Sequence, residues 1–255
     1  MIIWKGIAVI KNLILAVMII LSAESLYALE IKVVTENIPP LNYEENGKIS
    51  GISTEILRAV LEKAGIEVNI TVYPWARAYN MASEQENVLI YSIAKTPERE
   101  KLFKWIGPLY PYTESLFKLK KRKDIAVHSL DDAKKYKIGV VREYAVHQML
   151  RSQGFADGKN LDAVSEQELN IKKLFKERVD MIVGSSLDLS WRMRTQADLP
   201  PFEDLELAFE LKEIFTEIYM AFGVKTSDEV VSQIRTAFDQ LKTDGKIDSI
   251  LQKYR

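Results

Sequence analysis

Residues 88–110 read VLIYSIAKTPEREKLFKWIGPLY, and this stretch contains the features that decide the fold. Its first six residues are rich in branched and aromatic side chains, which predicts a strand of the buried type. Thr96 then precedes Pro97, the order of a helix N-cap followed by a proline in the first turn. Arg99 lies in the short helix that this pair predicts. The stretch therefore predicts a buried strand that leads into a helical turn carrying an arginine.

Upstream of this stretch, strand and helix patterns alternate. Residues 53–64 place apolar side chains at the helical period and end at Gly65. The predicted elements are a strand at 31–34, a helix at 53–64, a strand at 68–72, a helix at 75–83 and the strand at 88–93. This order is typical of an α/β unit with a mostly parallel sheet.

The alternation begins again after residue 128, which predicts a second α/β unit. Three hydroxyl residues are followed, at the third position, by an acidic residue, as at the start of a capped helix. They are Ser129 with Asp132, Ser165 with Glu168, and Thr226 with Glu229. Further strands are predicted at 137–141, 180–184 and 218–224. Two units in tandem predict two lobes.

Composition excludes several classes of protein. The formal net charge of -1 gives no overall field for nucleic acid, and 47% hydrophobic residues are ordinary for a globular chain. The basic run at 118–123 is interpreted as a solvated strand end between the two units, with a nucleic-acid patch as the alternative. We expect no nucleic-acid partner.

The first 28 residues have the order of a cleavable secretory signal peptide. Lys5 and Lys11 precede an apolar run at 13–21, and Ala28 offers a small residue for cleavage. The run is short for a membrane span, although an uncleaved anchor is the alternative. The sequence contains no cysteine, so lipid anchoring through an N-terminal cysteine is not expected. We therefore expect a soluble protein exported to the periplasm.

Several motifs, taken in order, resemble those of bacterial extracellular solute-binding proteins of family 3, the polar amino acid binders of ABC importers. They are the proline loop at 39–40 with Gly51 and Glu55, the segment Thr96-Pro97-Glu98-Arg99 with Phe103 and Trp105, Val179-Asp180 before a buried strand, and the ending at 240–254. The resemblance covers essentially the whole chain after residue 28.

The resemblance implies an α/β, periplasmic-binding-protein-like fold, in which two lobes with mixed sheets are joined by two hinge strands. Lobe 1 is expected at 29–118 and 217–255, lobe 2 at 119–216, and the hinges near 114–121 and 207–216. The implied function is binding of a small polar, carboxylate-bearing solute, an amino acid or a relative, for an ABC permease in the inner membrane. The implied protein is a monomer without a cofactor, and its ligand lies between the lobes.

The resemblance also implies ligand contacts in the first lobe. Arg99 matches the arginine that grips the ligand carboxylate, because a guanidinium makes two parallel charge-assisted hydrogen bonds to it. Its alternative is an exposed arginine paired with a neighbouring glutamate. Ser92 matches a hydroxyl or backbone contact, and Trp75 matches the cleft wall or, alternatively, the core. Arg77 would add a second positive charge and favour an anionic or dicarboxylate ligand.

The remaining candidate contacts do not follow the family's motifs closely. Tyr43 follows the proline loop, and Arg142 and Glu143 occupy a segment where the family tends to have glycine and small hydroxyl residues. The second-lobe carboxylate that takes the ligand's ammonium group is replaced here by Ser185, with Asp188 expected to point elsewhere. Glu143 could supply the missing negative charge.

Two other functions remain open. The chain has two histidines, His128 and His147, neither in a metal-ligand spacing, and residues 184–186 lack the pattern of a nucleophile elbow. We therefore expect that the protein is not an enzyme and that it has no catalytic residue and no metal site. A carboxylate-based lyase on the same fold is the weaker alternative. The other alternative is a periplasmic ligand sensor that feeds a membrane receptor.

Overall fold

The computed structural model of the chain describes residues 31–211 and 217–254. The predicted signal peptide at 1–28 lies outside these residues, as does the end of the second predicted hinge at 212–216. Within the described ranges, no helix is both long and apolar enough to span a bilayer.

The strands and helices follow one another much as the sequence patterns predict. The strands are β1 (Lys32–Thr35), β2 (Tyr43–Glu45), β3 (Lys48–Ser50), β4 (Ile70–Val72), β5 (Val88–Ala94), β6 (Phe103–Pro111), β7 (Ser115–Leu119), β8 (Ile138–Val141), β9 (Leu161–Val164), β10 (Met181–Gly184), β11 (Leu205–Glu210) and β12 (Glu217–Gly223). The helices are α1 (Ile52–Lys63), α2 (Trp75–Glu84), α3 (Pro97–Glu100), α4 (Leu130–Ala133), α5 (Ala145–Ser152), α6 (Gln167–Phe175), α7 (Ser186–Thr195), α8 (Asp228–Thr243) and α9 (Lys246–Gln252).

Two five-stranded mixed sheets give the molecule its two lobes. The first sheet has the order β4-β1-β5-β12-β6, and the second has the order β11-β7-β10-β8-β9. In the first sheet β1 runs parallel to β4 and β5, whereas β12 runs antiparallel to β5 and β6. The fold is thus α/β and periplasmic-binding-protein-like, as predicted, with more antiparallel pairing than the strand–helix alternation alone indicated.

The chain passes between the sheets twice. It leaves the first sheet at the end of β6 and enters the second at β7, and it returns between β11 and β12. β7 hydrogen-bonds to β10 and β11, both in the second sheet. The expected lobe boundaries at 118/119 and 216/217 remain predictions.

The C-terminal helices pack on the first lobe. α8 contacts α1, and α9 contacts both of them. Glu55, in the first turn of α1, forms an ion pair with Lys253 and accepts a hydrogen bond from the Tyr254 hydroxyl at 3.1 Å. The motif that contains Glu55 and the C-terminal motif at 240–254 are therefore in direct contact.

The predicted helix caps are confirmed at two positions and wrong at two. Ser129 and Thr96 cap α4 and α3 as expected. Thr226 does not cap α8, because its hydroxyl accepts the Asn87 N–H at 2.9 Å, and Ser227 caps the helix instead. Helix α6 begins at Gln167 without a side-chain cap, because Glu168 pairs with Arg192 rather than closing a capping box with Ser165.

Candidate functional site

Arg99 lies buried between the lobes, with 1% of its surface exposed. Thr96 caps the short helix α3 and so directs the following turn toward the second lobe. The guanidinium donates to Gln148 Oε1 at 3.1 Å, to the Glu143 carbonyl at 2.7 Å and to the Ala94 carbonyl at 3.4 Å. This burial excludes the alternative of an exposed arginine. Burial lowers the pKa of Arg99 to about 10, so the group stays cationic at neutral pH.

The Glu143 carbonyl and the Gln148 side chain are the second-lobe groups that accept hydrogen bonds from Arg99. Glu143 has a φ of 61°, a left-handed conformation that is unusual for a residue other than glycine. Its carbonyl also accepts the Trp75 indole N–H at 2.7 Å. Trp75 is 3% exposed and belongs to the first-lobe core, so it serves both the core and the cleft wall.

Tyr144 inserts from the second lobe into the first. Its ring packs edge-on against Trp75, with centroids 5.9 Å apart. Its hydroxyl donates a hydrogen bond to Glu36 Oε2, directly after β1. Tyr144 therefore fills space between the lobes and links them through a buried carboxyl.

Three buried carboxyl groups surround this contact: Glu36, Glu114 and Asp188. Burial raises the pKa of Glu36 to about 8, and burial together with the Asp188 charge raises that of Glu114 to about 8. Burial raises the pKa of Asp188 to about 6, with Arg192 opposing the shift. Removing a carboxyl group from water penalises its ionised form, so the closed site favours protons or another cation.

Arg192 forms a second link between the lobes. Its Nε donates to Asp188 Oδ1 at 2.6 Å, one helical turn earlier in α7, and its Nη1 pairs with Glu168. Nη2 donates to the Asn37 carbonyl in the first lobe. Burial alone would lower the pKa of Arg192, but Asp188 and Glu168 raise it above its ordinary value. The side chain is therefore a fixed cation with its donors satisfied.

The space between the lobes contains a small cavity and a larger pocket. The small cavity has a volume of ≈ 30 Å³ and is lined by Glu36, Ser92, Arg99, Tyr112, Glu114 and Tyr144, among others. A cavity of that size holds a water molecule or two, so an amino acid requires the lobes to move apart. The larger pocket has a volume of ≈ 240 Å³ and draws its lining from both lobes.

The larger pocket is lined by carboxyl groups and aromatic rings. The carboxyl groups are those of Glu36, Glu166 and Glu168, and the rings are those of Tyr73, Trp75 and Tyr144. Carboxylates and aromatic faces both attract organic cations. The pocket therefore suits a positively charged group.

Four of the sequence-predicted residues lie at or beside the cleft. Ser92 lines the cavity, has a φ of 61° and donates to Asn42 Oδ1 at 2.5 Å. Trp75 and Arg99 line it as well, and Glu143 presents its carbonyl. The Glu143 carboxylate instead accepts from Gln148 Nε2 at 2.9 Å, within the second lobe.

Tyr43 and Ser185 have other contacts. Tyr43 packs against Trp191 with ring centroids 5.5 Å apart, and so joins the β2–β3 hairpin to α7. Ser185 is buried and caps α7 by accepting the Leu187 N–H at 3.2 Å. Because the helix begins there, Asp188 falls in its first turn and points inward to Arg192. Asp188 lines neither of the two pockets between the lobes, and the expectation that it points away from the ligand remains a prediction.

The structure does not bring Arg77 or Arg142 to the cavity. Arg77 is exposed and stacks on Tyr73, with the guanidinium carbon 4.2 Å from the ring centroid. Arg142 is exposed and donates to the Ala163 carbonyl at 3.4 Å, in a groove of the second lobe. Arg77 therefore does not supply the second positive charge that was expected near Arg99.

Sequence reasoning missed Glu36, Glu114, Tyr144 and Arg192. Glu36 stands directly after a predicted strand and before the proline loop, a position where side chains often reach a cleft. Glu114 lies between the two sheets in the first crossing segment. No local signal marked Arg192, which lies in a helix that sequence reasoning did not predict.

Comparisons with known proteins agree with this architecture. The chain is 24% identical over 217 residues to the probable amino-acid-binding protein YxeM of Bacillus subtilis (strain 168), covering 84% of this chain and 79% of the relative. A histidine kinase sensor domain with similarity to periplasmic binding proteins superposes with a TM-score of 0.75 at 18% identity, over 88% of this chain and 95% of the other. An ancestral arginine-binding protein bound to arginine superposes with a TM-score of 0.73 at 21% identity, over 88% of this chain and 96% of the other.

The family assignment rests on the sequence itself. The sequence model of the bacterial extracellular solute-binding proteins, family 3, matches residues 31–255. The match includes both sheets, the two crossings between them and the C-terminal helices. The chain belongs to the bacterial extracellular solute-binding proteins of family 3.

Proposed function

We propose that this protein binds an amino acid, or a close relative, whose side chain carries a cationic group. The observation that carries the proposal is the division of charge in the cleft. Arg99 lines the small cavity, whereas Glu36, Glu166 and Glu168 line the larger pocket. A ligand with its carboxylate at one end and a side-chain cation at the other would match both parts.

The carboxyl groups of the cleft support a cationic ligand. Burial raises the pKa of Glu36 and of Glu114 to about 8, so both hold a proton in the closed site at neutral pH. A ligand cation beside them would favour their ionised forms and replace those protons, whereas a dicarboxylate would add negative charge. The expectation of an anionic ligand depended on Arg77, which is exposed, stacks on Tyr73 and lines neither the small cavity nor the larger pocket.

The proposed role is delivery to an ABC permease, by a periplasmic protein exported through residues 1–28 and acting as a monomer. The family is extracellular, and the relative from Bacillus subtilis is a probable amino-acid-binding protein. A sensor role is the second candidate, because the histidine kinase sensor domain shares the fold. A permease gene beside this one would favour transport, and a receptor kinase gene would favour sensing.

We propose binding without turnover. His147 is buried, with Nδ1 and Nε2 both hydrogen-bonded within the second lobe. The Ser185 hydroxyl caps a helix. Neither side chain is free to act as a base or a nucleophile.

Isothermal titration of desalted protein with arginine, lysine, histidine, glutamine and glutamate tests the ligand class. We expect the cationic amino acids to bind most tightly and glutamate most weakly. Arg99→Ala should weaken binding by roughly 30-fold to several thousand-fold, because removing one partner of a buried charge pair costs about 2–5 kcal/mol. The matched control is Arg178→Ala, an exposed arginine of the second lobe. Tightest binding of glutamate, or unchanged affinity in Arg99→Ala, would refute the proposal.

A further inference from the structure

Asn42 lies beside the point where the first-lobe strands β1 and β5 cease to pair. Its side chain is fully buried, and its backbone pairs with Ile38 in an antiparallel bridge. Nδ2 donates to Thr35 Oγ1 at 2.9 Å and to the Glu36 carbonyl at 2.6 Å. Oδ1 accepts the Ser92 hydroxyl at 2.5 Å. One amide thus joins the two strand ends from which Glu36 and Ser92 line the small cavity.

Ser92 occupies an irregular position in β5. Consecutive residues of β12 pair with Tyr91 and Ile93, so Ser92 between them is the extra residue of a β-bulge. Its φ of 61° lies in the left-handed region, which is costly for a residue other than glycine. Bulges commonly give a side chain a new direction. Here the hydroxyl of the bulged residue meets the Asn42 amide at the edge of the cavity.

The direction of each hydrogen bond around Asn42 is fixed by chemistry. The Glu36 carbonyl can only accept, so the atom of Asn42 beside it must be the amide nitrogen. The amide oxygen then faces Ser92, and because an amide oxygen can only accept, the serine hydroxyl has to donate to it. A hydroxyl has one proton. Ser92 Oγ therefore retains lone pairs but has no proton left for a ligand in the cavity.

An oxygen that can only accept favours a ligand group that donates. An ammonium group has three protons to donate, and hydrogen bonds in which one partner is charged are the stronger class. A carboxylate only accepts, so it gains no hydrogen bond from Ser92. Arg99 lines the same cavity and supplies the donors that a carboxylate requires. Ser92 and Arg99 thus suit the two charged groups that an amino acid carries on its α-carbon.

We infer that Asn42 is a positioning residue for ligand selection, which acts by holding Ser92 as a hydrogen-bond acceptor for the α-ammonium group of the ligand. Asn42 is not among the residues that line the cavity, so it acts through Ser92 and through the backbone of Glu36. The inference rests on the proposed function and deepens it. It assigns an acceptor to the ammonium group that all amino acids share, whereas Glu166 and Glu168 line the pocket proposed for the side-chain cation.

The orientation of the amide is measured in the parent protein, without ligand, by nuclear magnetic resonance. Scalar coupling passes through hydrogen bonds, so it should connect Asn42 Nδ2 with the Glu36 carbonyl carbon. The distance of 2.6 Å makes this bond a short one and favours a measurable coupling. Couplings between β5 and β12 in the same spectrum are the positive control. Their presence without the Asn42 coupling would overturn the inference, whichever ligand the protein binds.

Titration with L-arginine and its desamino analogue measures the effect on binding. The ammonium ratio is the Kd of the analogue divided by the Kd of arginine. Ser92→Gly removes the acceptor and suits the left-handed backbone, so the ratio should fall about tenfold or more. Asn42→Leu leaves the Ser92 hydroxyl free to turn and to donate, so the ratio should fall about threefold or more. Agmatine, which lacks the carboxylate, gives a carboxylate ratio in the same way.

The matched control is Asn160→Leu, which removes a buried asparagine of the second lobe that accepts the Ala156 N–H. It should keep the ammonium ratio of the parent, and all three variants should keep the carboxylate ratio. A general distortion of the site would lower both ratios together. That result, or an unchanged ammonium ratio in Ser92→Gly or Asn42→Leu, would overturn the inference. If Asn42→Leu does not fold, Ser92→Gly and the coupling in the parent protein decide the question.

Failure of the proposed function gives a different result. If an amino acid without a side-chain cation binds most tightly, the ligand class is wrong. The same variants are then titrated with that amino acid and its desamino analogue, because every amino acid carries the α-ammonium group. An ammonium ratio that falls there supports the role of Asn42, and one that does not fall overturns it.

Discussion

Closure of the cleft should depend on pH through Glu36, and Glu36→Gln should weaken that dependence. In the closed structure burial raises the pKa of Glu36 to about 8, against an ordinary value of 4.5. When the lobes part, the carboxyl group meets water and its pKa falls toward the ordinary value. Tyr144, Arg192, Asp188 and Glu114 are the ionisable groups whose effects on it are largest.

The sign follows from the raised pKa. The closed state holds the proton more tightly than the open state, so the contribution of Glu36 to closure is fully present below pH 4.5. It is lost progressively as the pH rises through about 8. One such group changes the free energy of closure by about 1.4 kcal/mol per pH unit within this window, or roughly 2–3 kcal/mol between pH 6 and 8.

Glutamine imitates the protonated carboxyl at every pH and still accepts from the Tyr144 hydroxyl. Glu36→Gln should therefore remove the part of the pH dependence that comes from this residue. Glu114, with a similar pKa, should supply the remainder, so Glu36→Gln combined with Glu114→Gln should stay closed at pH 8.

Small-angle X-ray scattering of ligand-free protein at pH 6, 7 and 8 measures the effect. A compact chain of this size has a radius of gyration of about 17–18 Å, and parting of the lobes raises it. The parent should expand toward pH 8, whereas the double variant should not. Glu62→Gln, an exposed carboxylate on α1, is the control and should follow the parent. Parallel pH curves for the parent and the double variant would refute the reasoning.

Three further predictions concern stability and are measured by urea unfolding. Arg192→Met should lower the free energy of unfolding by about 3–5 kcal/mol, because it leaves Asp188 buried without its partner; adding Asp188→Asn should recover part of the loss, and no recovery would contradict the pairing. Gly51→Ala should cost more than about 2 kcal/mol, because its φ is 113° and a Cβ would lie 2.5 Å from the Leu41 carbonyl oxygen; a neutral result would contradict this. Ser227→Ala should cost about 0.5–2 kcal/mol through the lost cap of α8, and a loss below that range would argue against the cap.

Much of the fold could be predicted because local patterns and tertiary structure agree. The strand at 88–94 is apolar throughout, and it is buried on both faces. The helix after Pro74 has its apolar residues at the helical spacing, and these residues face the core. The antiparallel strand β12 was also visible as a strand, but its place between β5 and β6 was not. Its partners depend on which chain segments meet in space, and no local period encodes that.

The candidate site was predicted only in its first-lobe half. Arg99 follows a recognisable segment, so the resemblance points to it directly. In the second lobe, Glu143 contacts Arg99 through its backbone carbonyl, so its role comes from backbone direction rather than from residue type. Every residue has a backbone carbonyl, so the sequence does not show which carbonyl lies in the site. The sequence therefore predicts a role for the Glu143 carboxylate and none for its carbonyl.

The charged groups of the cleft explain how closure and selectivity can come from the same residues. Closing the lobes takes Glu36 and Glu114 out of water, which is unfavourable while both are ionised. A proton can offset that cost in the ligand-free protein, and a ligand cation can offset it at neutral pH. An amino acid whose side chain carries no cation has only its α-ammonium group to offset that cost, whatever contacts its carboxylate makes with Arg99. Selectivity for a cationic solute would then arise from desolvation of the protein's own carboxyl groups, and the carboxylate contact would be common to every amino acid that enters.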